Sequence, residues 1–359
     1  MSDTEIVASD SVASPARLID PLVFNIAILV VSSICTTLMC LFGTATNIVN
    51  ILLFRKQGYR DGVNVTLTAL AVSDLGAVIF ELVYSTIWNP YILEADLEVS
   101  KMAIKYITGY GHEYFTRVSS VITAFAALER CLCVTRPLKV KAMITTKVAI
   151  AVNSSIFILY CGYFFPQFYT MDFAWTFLPE RNRTVYVVLF TSRNDSMFPI
   201  SLYFTDMLFP YCTFLMLISC SAILYVKLKS KAKWRRLVSG SGERLSQVAT
   251  KERKSGLLFM SVSLMCVVFL LPAYLLFTAI IFVKSMALNG YLSDISFLIS
   301  AFTGLLKTAN SSFTILIYYN QSTKYRLEFQ KLVEKLKSVV KMRQAETSET
   351  QNISSRSLK

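Results

Sequence analysis

The sequence predicts an all-α membrane protein: a bundle of seven transmembrane helices with a short amphipathic eighth helix. Three observations predict it. Seven runs of mostly apolar residues, each long enough to cross a bilayer, fill the chain from about Leu22 to Tyr318. Hydrophobic residues make up 54% of the chain and charged ones only 16%, against about 25% charged in an ordinary soluble domain. The basic residues also concentrate on alternate connections between the runs, as they do when a chain crosses a membrane repeatedly.

A span needs roughly 20 apolar residues to cross about 30 Å of hydrocarbon. On that measure the spans fall near 24–54, 63–88, 102–134, 147–168, 198–226, 256–283 and 291–318. The third is the least hydrocarbon-like, because Thr108 to Arg117 reads polar. Beyond Tyr318, the segment Ser322 to Val339 is amphipathic. Its Tyr325, Leu327, Phe329, Leu332, Val333 and Leu336 can lie on the membrane while its lysines reach for headgroups. The chain thus divides into an extracellular tail (1–21), a membrane domain with the eighth helix (22–339) and a polar cytoplasmic tail (340–359) expected to be disordered. Ser239-Gly240-Ser241-Gly242, between two basic arms of the third inner loop, reads as a flexible connector.

The net charge of +13 raises nucleic acid as a partner, but its distribution argues against it. With the N-terminus outside, the inner side receives three basic residues in the first loop, five in the second, ten in the third and nine in the tail. The outer side receives seven. That asymmetry predicts a multi-pass plasma-membrane protein with the N-terminus extracellular and the C-terminus cytoplasmic. The basic excess then faces anionic lipids and a cytoplasmic partner, and no nucleic-acid role is expected. The first twenty residues are acidic, so the first span is expected to act as an uncleaved signal anchor. Sequons at Asn182 and Asn194 fall in the second outer loop, where glycosylation fits.

All eight cysteines lie in or beside spans, so no extracellular disulfide framework can be drawn. There is no CxxC, no His cluster, no Gly-rich phosphate loop and no catalytic constellation. An enzyme is not expected, and neither is a cofactor.

The third span ends in Leu128-Glu129-Arg130-Cys131. An arginine at a membrane boundary must be balanced, and a balance that can be broken is a switch. Further patterns stand in register with it: Gly43-Thr44-Ala45-Thr46-Asn47 in the first span, Leu70-Ala71-Val72-Ser73-Asp74 in the second and Pro137 in the second inner loop. Pro210 stands in the fifth span, Pro272 in the sixth, and Tyr318 in the seventh ahead of Tyr325-Arg326. Together they resemble the motifs of a rhodopsin-like (class A) G-protein-coupled receptor over roughly residues 24 to 335. The strings FGTATNIVNILLF, VNVTLTALAVSDL and ITAFAALERCLCVTRPLKVK resemble invertebrate, molluscan chemosensory and peptide receptors.

That resemblance implies a receptor activated by an extracellular peptide or small polar ligand, signalling to a heterotrimeric G protein by outward movement of helix 6. It also implies a chemosensory receptor for environmental cues as the alternative to a neuropeptide receptor. The chain departs from the family pattern in several places. Lys105 stands where helix 3 usually carries a cysteine, and the second outer loop has none to pair with it. That loop is therefore expected to be mobile. Leu270 replaces the sixth-span Trp, Ile218 the fifth-span Tyr, and Thr314-Ile315-Leu316-Ile317-Tyr318 the seventh-span Asn-Pro-x-x-Tyr.

Ionised groups within spans must face the bundle interior, since each costs from about 2.5 kcal/mol upward in hydrocarbon. The register puts Asp74 near Ser119, Asn310 and Ser311, similar to the family's sodium pocket; a purely hydrogen-bonded polar core is the other reading. Higher up stand Glu81, His112, Glu113, Thr116, Arg117, Asp206 and Lys307, the candidate ligand-binding group. His112 and Thr116 share one face of the third span, Glu113 and Arg117 the next. The expected pairs are Arg117 with Asp206 and Glu81 with Lys307, leaving Glu113 for a cationic ligand group or for His112. His112, the one histidine of the chain, titrates in its free form near physiological pH. At the inner face Arg130 is expected to bridge to Glu129 and Glu252, with helix 6 bending at Pro272, whose ring removes a backbone donor. A polytopic transporter is the competing class, weighed down by the lack of half-to-half similarity. An opsin is the other alternative, and register argues against it, because Thr308 and not Lys307 stands where the resemblance would put the retinal-binding lysine.

Overall fold

Pro21 opens the first helix because its fixed φ suits a first turn, where its missing N–H has no intrahelical partner to lose. The Asp20 carboxylate caps that turn, accepting from the Leu22 and Val23 amides at 2.9 and 3.3 Å. The computed structural model describes residues 18–87, 89, 97–135, 145–179, 182–190, 200–201, 203–237, 243–287 and 290–357. For 163–164, 167, 190, 231–237, 243–252, 342 and 345–357 it describes the backbone alone. The acidic tail up to residue 17, Pro137, the Asn194 sequon, the Ser239–Gly242 connector and the Glu252 side chain lie outside the described residues.

In chain order, helix α1 spans Pro21–Gln57, with a π-helical stretch at Leu29–Cys35. Then come α2 (Gly62–Ile87), α3 (Lys101–Thr135) and α4 (Thr146–Tyr169). An antiparallel hairpin follows, β1 (Met171–Leu178) and β2 (Arg183–Phe190). Helix α5 begins as a π-turn, Tyr203–Leu208, and continues as Phe209–Leu237; α6 is Glu243–Phe282. Helix α7 is Ser293–Ser312, resumed after Phe313 as Thr314–Gln321, and α8 is Thr323–Ser357.

Helices α1, α2, α3, α5 and α6 are long and apolar enough to cross a membrane. The apolar part of α4 is shorter, Thr146–Gly162. In α7 the buried face is polar, built from Ser296, Thr303, Thr308, Asn310, Ser311 and Ser312, which lowers its hydropathy without exposing those groups. The polar stretch of α3 is part of an unbroken helix for the same reason. Thr108, His112, Thr116 and Arg117 are all buried, and α3 packs against α2, α4, α5, α6 and α7. Polar residues there meet partners on other helices instead of lipid.

Small residues set the closest approaches. A Cβ on Gly111 would collide with the Phe80 ring, and one on Gly76 with the Phe115 ring. The two rings stack with centroids 5.7 Å apart, so α2 and α3 lock ring-over-glycine in both directions. Gly43 likewise leaves room for Ser312 of α7.

The break in α7 occurs without a proline. Its last carbonyls are taken instead by side chains of α1: Thr46 Oγ1 donates to Ser312 O (3.2 Å) and Asn47 Nδ2 to Ser311 O (2.7 Å). A helix end whose carbonyls find other donors can stop there. Asn50 extends the seam, reaching Thr314 Oγ1 at 3.4 Å and accepting from the Tyr325 hydroxyl at 2.6 Å. Tyr325 is fully buried with Phe54 and Tyr318, which ties the start of α8 to the bundle.

Two expectations need correction. The tail beyond Val339 is helical to Ser357; its Lys, Met, Arg, Gln, Ala and Glu are good helix formers, and no Pro or Gly interrupts them. The second outer loop, over its described residues 171–178 and 183–190, forms an antiparallel hairpin. Tyr186 exchanges backbone bonds with the chain ahead of α3, donating to Glu98 O (2.9 Å) and accepting from Ser100 N (2.8 Å). Arg183 Nη2 donates to Leu97 O at 2.8 Å. Met171 and Val188 bury against Ala103 beneath. Backbone pairing and a small apolar cluster here hold the hairpin where a disulfide was missed, and none of the eight cysteines forms a disulfide.

Candidate functional site

Six ionisable side chains from four helices meet within the bundle. Arg117 of α3 pairs with Asp206 of α5, and also faces Glu113, one turn back on its own helix, at 3.6 Å. Asp206 lies in the π-turn of α5, which re-phases that helix by a residue and brings the carboxylate inward. Thr205 Oγ1 donates to the other Asp206 oxygen at 2.6 Å. Arg117 is only 3% exposed; at that depth a lone guanidinium would be costly, so two carboxylates attend it.

Lys307 of α7 pairs with Glu113, not with Glu81 as its register suggested. Rotation of α7 about its own axis decides this, and the local sequence does not encode it. Glu81 faces His112 instead, with Nδ1 to Oε2 at 3.5 Å. His112 Nδ1 is nearer the Ala77 carbonyl, at 3.0 Å, and Nε2 stands 3.5 Å from Thr116 Oγ1. Glu113, expected to be left over, is thus the shared carboxylate of Lys307 and Arg117. With its side chain 25% exposed, against 10% for Glu81 and 13% for Asp206, it is also the most accessible of the three acids.

Below this cluster, Ser119 Oγ donates to Asp74 Oδ1 at 2.7 Å. The Ser311 hydroxyl also faces the Asp74 carboxylate, and the side-chain amide oxygen of Asn310 is buried. Ser119 of α3 and Ser311 of α7 thus both face the Asp74 carboxylate.

At the inner end of α3, Arg130 pairs with Glu129. It also reaches α6, with Nη1 3.5 Å from Ser255 Oγ and its guanidinium 5.7 Å from the Phe259 ring centroid. Neither residue was singled out from sequence; Ser255 and Phe259 lie one and two turns beyond Glu252 on α6, which is the signal that could have found them. Pro272 sits within continuous α6, and Tyr318 is 1% exposed against Phe54 and Tyr325. On the outer half, Tyr211 of α5 bonds Thr278 of α6 at 2.8 Å, a link that sequence reading also missed.

Along α3 lie a buried, mixed-charge cluster, a polar core beneath it and, at the opposite end, an arginine latch between α3 and α6. A comparison with curated proteins gives no match. Residues 34–335 match the family model described as serpentine type 7TM GPCR chemoreceptor Srw. That span takes in every helix from α1 to the start of α8, the charge cluster and the arginine latch, and the chain therefore belongs to the Srw family of serpentine seven-transmembrane G-protein-coupled chemoreceptors.

Proposed function

We propose that this chemoreceptor sits in the plasma membrane with seven crossings, its N-terminus outside and α8 along the inner surface. It takes a polar small molecule or a peptide at the cluster of Glu81, His112, Glu113, Thr116, Arg117, Asp206 and Lys307. The observation that carries this reading is the placement of two breakable ionic devices on one helix, α3. The outer device joins α3 to α5 and α7 through Arg117–Asp206 and Lys307–Glu113. The inner one joins α3 to α6 through Arg130 and Ser255. A ligand that rearranges the outer pairs shifts α3 and α7, and the weak inner contact is the one that yields. Helix α6 then swings outward about Pro272 and opens a surface at Arg130 for a heterotrimeric G protein.

The class A resemblance of the motifs supports this route, and the family match favours an environmental cue over a neuropeptide. Asp74, with the Ser119 and Ser311 hydroxyls facing it and the buried Asn310 amide oxygen on α7, offers the hard oxygen donors that would suit a sodium ion. Held there, the ion would supply a positive charge that favours the closed packing of α2, α3 and α7.

The test is G-protein activation in cells expressing the chain, challenged with peptide and small-molecule fractions, beside an Arg130→Ala form at equal surface expression. A response lost in Arg130→Ala supports the reading; a response that survives it overturns the latch. Glu252→Ala is expected to raise basal signalling, and an unchanged basal level would remove Glu252 from the restraint.

A further inference from the structure

The β1–β2 hairpin has two unlike faces. In an antiparallel pair, opposed residues point to the same side and successive residues alternate. The register therefore puts Asp172, Ala174, Thr176, Arg183, Val185 and Val187 on one face. Phe173, Trp175, Phe177, Thr184, Tyr186 and Val188 stand on the other. A hairpin with one face on the protein and one in water alternates apolar-in with polar-out. This one does not. Val185 and Val187 are buried on the first face, yet Asp172 and Arg183, the charged residues of the two strands, stand on that same face. The second face carries no charge, and its Trp175 and Phe177 are 61% and 56% exposed.

That second face continues a surface that meets lipid. Helix α4 turns Ile158, Leu159, Phe165 and Tyr169 outward, and in a seven-transmembrane chain such an apolar face lies against acyl chains. Phe165 and Tyr169 stack with centroids 5.6 Å apart where the face ends, and Thr170 alone separates α4 from β1. From there the rings run onto the hairpin without a gap. Phe168 meets Phe173 at 6.0 Å, Phe173 meets Tyr186 at 6.1 Å, and Tyr186 meets Trp175 at 5.3 Å. Tryptophan and tyrosine gather at headgroup level, where the ring body meets acyl chains and the polar edge meets water.

We propose that the aromatic face of this hairpin is a membrane-contact surface, with Trp175 and Phe177 lying in the headgroup–acyl boundary beside the β1 end of α4. The partner is phospholipid of any headgroup charge, because the face offers no charge of its own. Lipid is preferred to a second copy of the chain because the ring ladder extends a surface that already meets lipid. Tyr186 also exchanges backbone bonds with Glu98 and Ser100 ahead of α3, so the leaflet helps to position the start of α3. The sequon at Asn182 lies four residues from Tyr186, about 13 Å along an extended strand, which leaves room for a glycan in water while Trp175 meets lipid.

The full chain holds three tryptophans, Trp88, Trp175 and Trp234, so Trp88→Phe with Trp234→Phe leaves Trp175 as the one emitter. That form is placed one chain per nanodisc in phosphatidylcholine carrying a nitroxide at a shallow or a deep acyl position. Aqueous iodide is the separate, water-side quencher. The expected result is blue-shifted emission that loses most of its intensity to the shallow nitroxide, less to the deep one and little to iodide. Iodide quenching close to that of free tryptophan places Trp175 in water and overturns the proposal. Quenching by neither agent places it under protein and overturns it equally. Should the double substitution fail to fold, subtracting the emission of Trp175→Phe from that of the wild-type chain isolates the same emitter. None of these readings involves a ligand or a G protein, so the outcome is independent of the function proposed above.

Discussion

Helix α7 takes part in two interfaces built from opposite chemistry. Near its break it meets α1 through neutral groups: Thr46 and Asn47 donate to backbone carbonyls, and Gly43 lets the helices close. Two turns earlier, Lys307 enters a cluster of ions drawn from α2, α3 and α5. The neutral seam has one satisfied arrangement, and neither pH nor salt shifts it. The ionic cluster rests instead on charged pairs, Arg117 with Asp206 and Lys307 with Glu113. One interface is tied by neutral donors to backbone carbonyls; the other depends on paired charges.

The largest effect is expected where that contrast is broken by taking away the central cation. Arg117→Met leaves Asp206 buried without its partner and should cost about 3–5 kcal/mol, read as a collapse in surface expression and melting temperature. Arg117→Met combined with Asp206→Leu should recover most of the loss, because removing both partners is close to neutral. If the double substitution is as damaging as the single, the pair is not what stabilises this region.

Breaking the neutral seam should cost less and behave differently. Asn47→Leu strands the Ser311 carbonyl and should cost about 1–3 kcal/mol, with a melting shift that stays constant from pH 6 to 8. A shift that varied over that range would show the seam to be coupled to the ions above it. Gly111→Ala drives a methyl into the Phe80 ring and is expected to cost about 1–3 kcal/mol, measured the same way.

The smallest effect is expected at the surface between α1 and α8. Hydrogen bonds from Lys56 and Lys331, at 2.9 Å each, hold the Glu328 carboxyl below its ordinary range. Whatever it adds is present at neutral pH and is lost only as the pH falls below about 4. The site is solvated and screened, so Glu328→Gln should leave the melting temperature at pH 7 nearly unchanged, and any shift should vanish in high salt.

Much of the fold was legible because spans are long and their periodicity is strong. Arg117 with Asp206 could be paired from register alone, since both are interior charges at similar depth on neighbouring helices. Glu113 with Lys307 could not, because depth was readable and the rotation of α7 was not. The hairpin was missed although Arg183 to Phe190 is rich in β-branched and aromatic residues, a strand signal overlooked in a segment read only as a loop. The break at Phe313 has no local signature. Its cause lies in α1, in the donors Thr46 and Asn47, more than two hundred residues away. The polar end of the chain was read as disordered from composition, while its helix propensity pointed the other way.

The hairpin across the outer face carries one more consequence. Receptors whose outer loop is tied by a disulfide depend on an oxidising exterior to keep that loop in place. Here the tie is a pair of backbone bonds at Tyr186 and one from the Arg183 side chain, and no cysteine forms a disulfide. The outer cover of this sensor is blind to redox conditions: millimolar thiol reductants should leave its melting curve and its ligand response where they were. A chemoreceptor so built can keep its shape in reducing surroundings that would loosen a disulfide-tied loop.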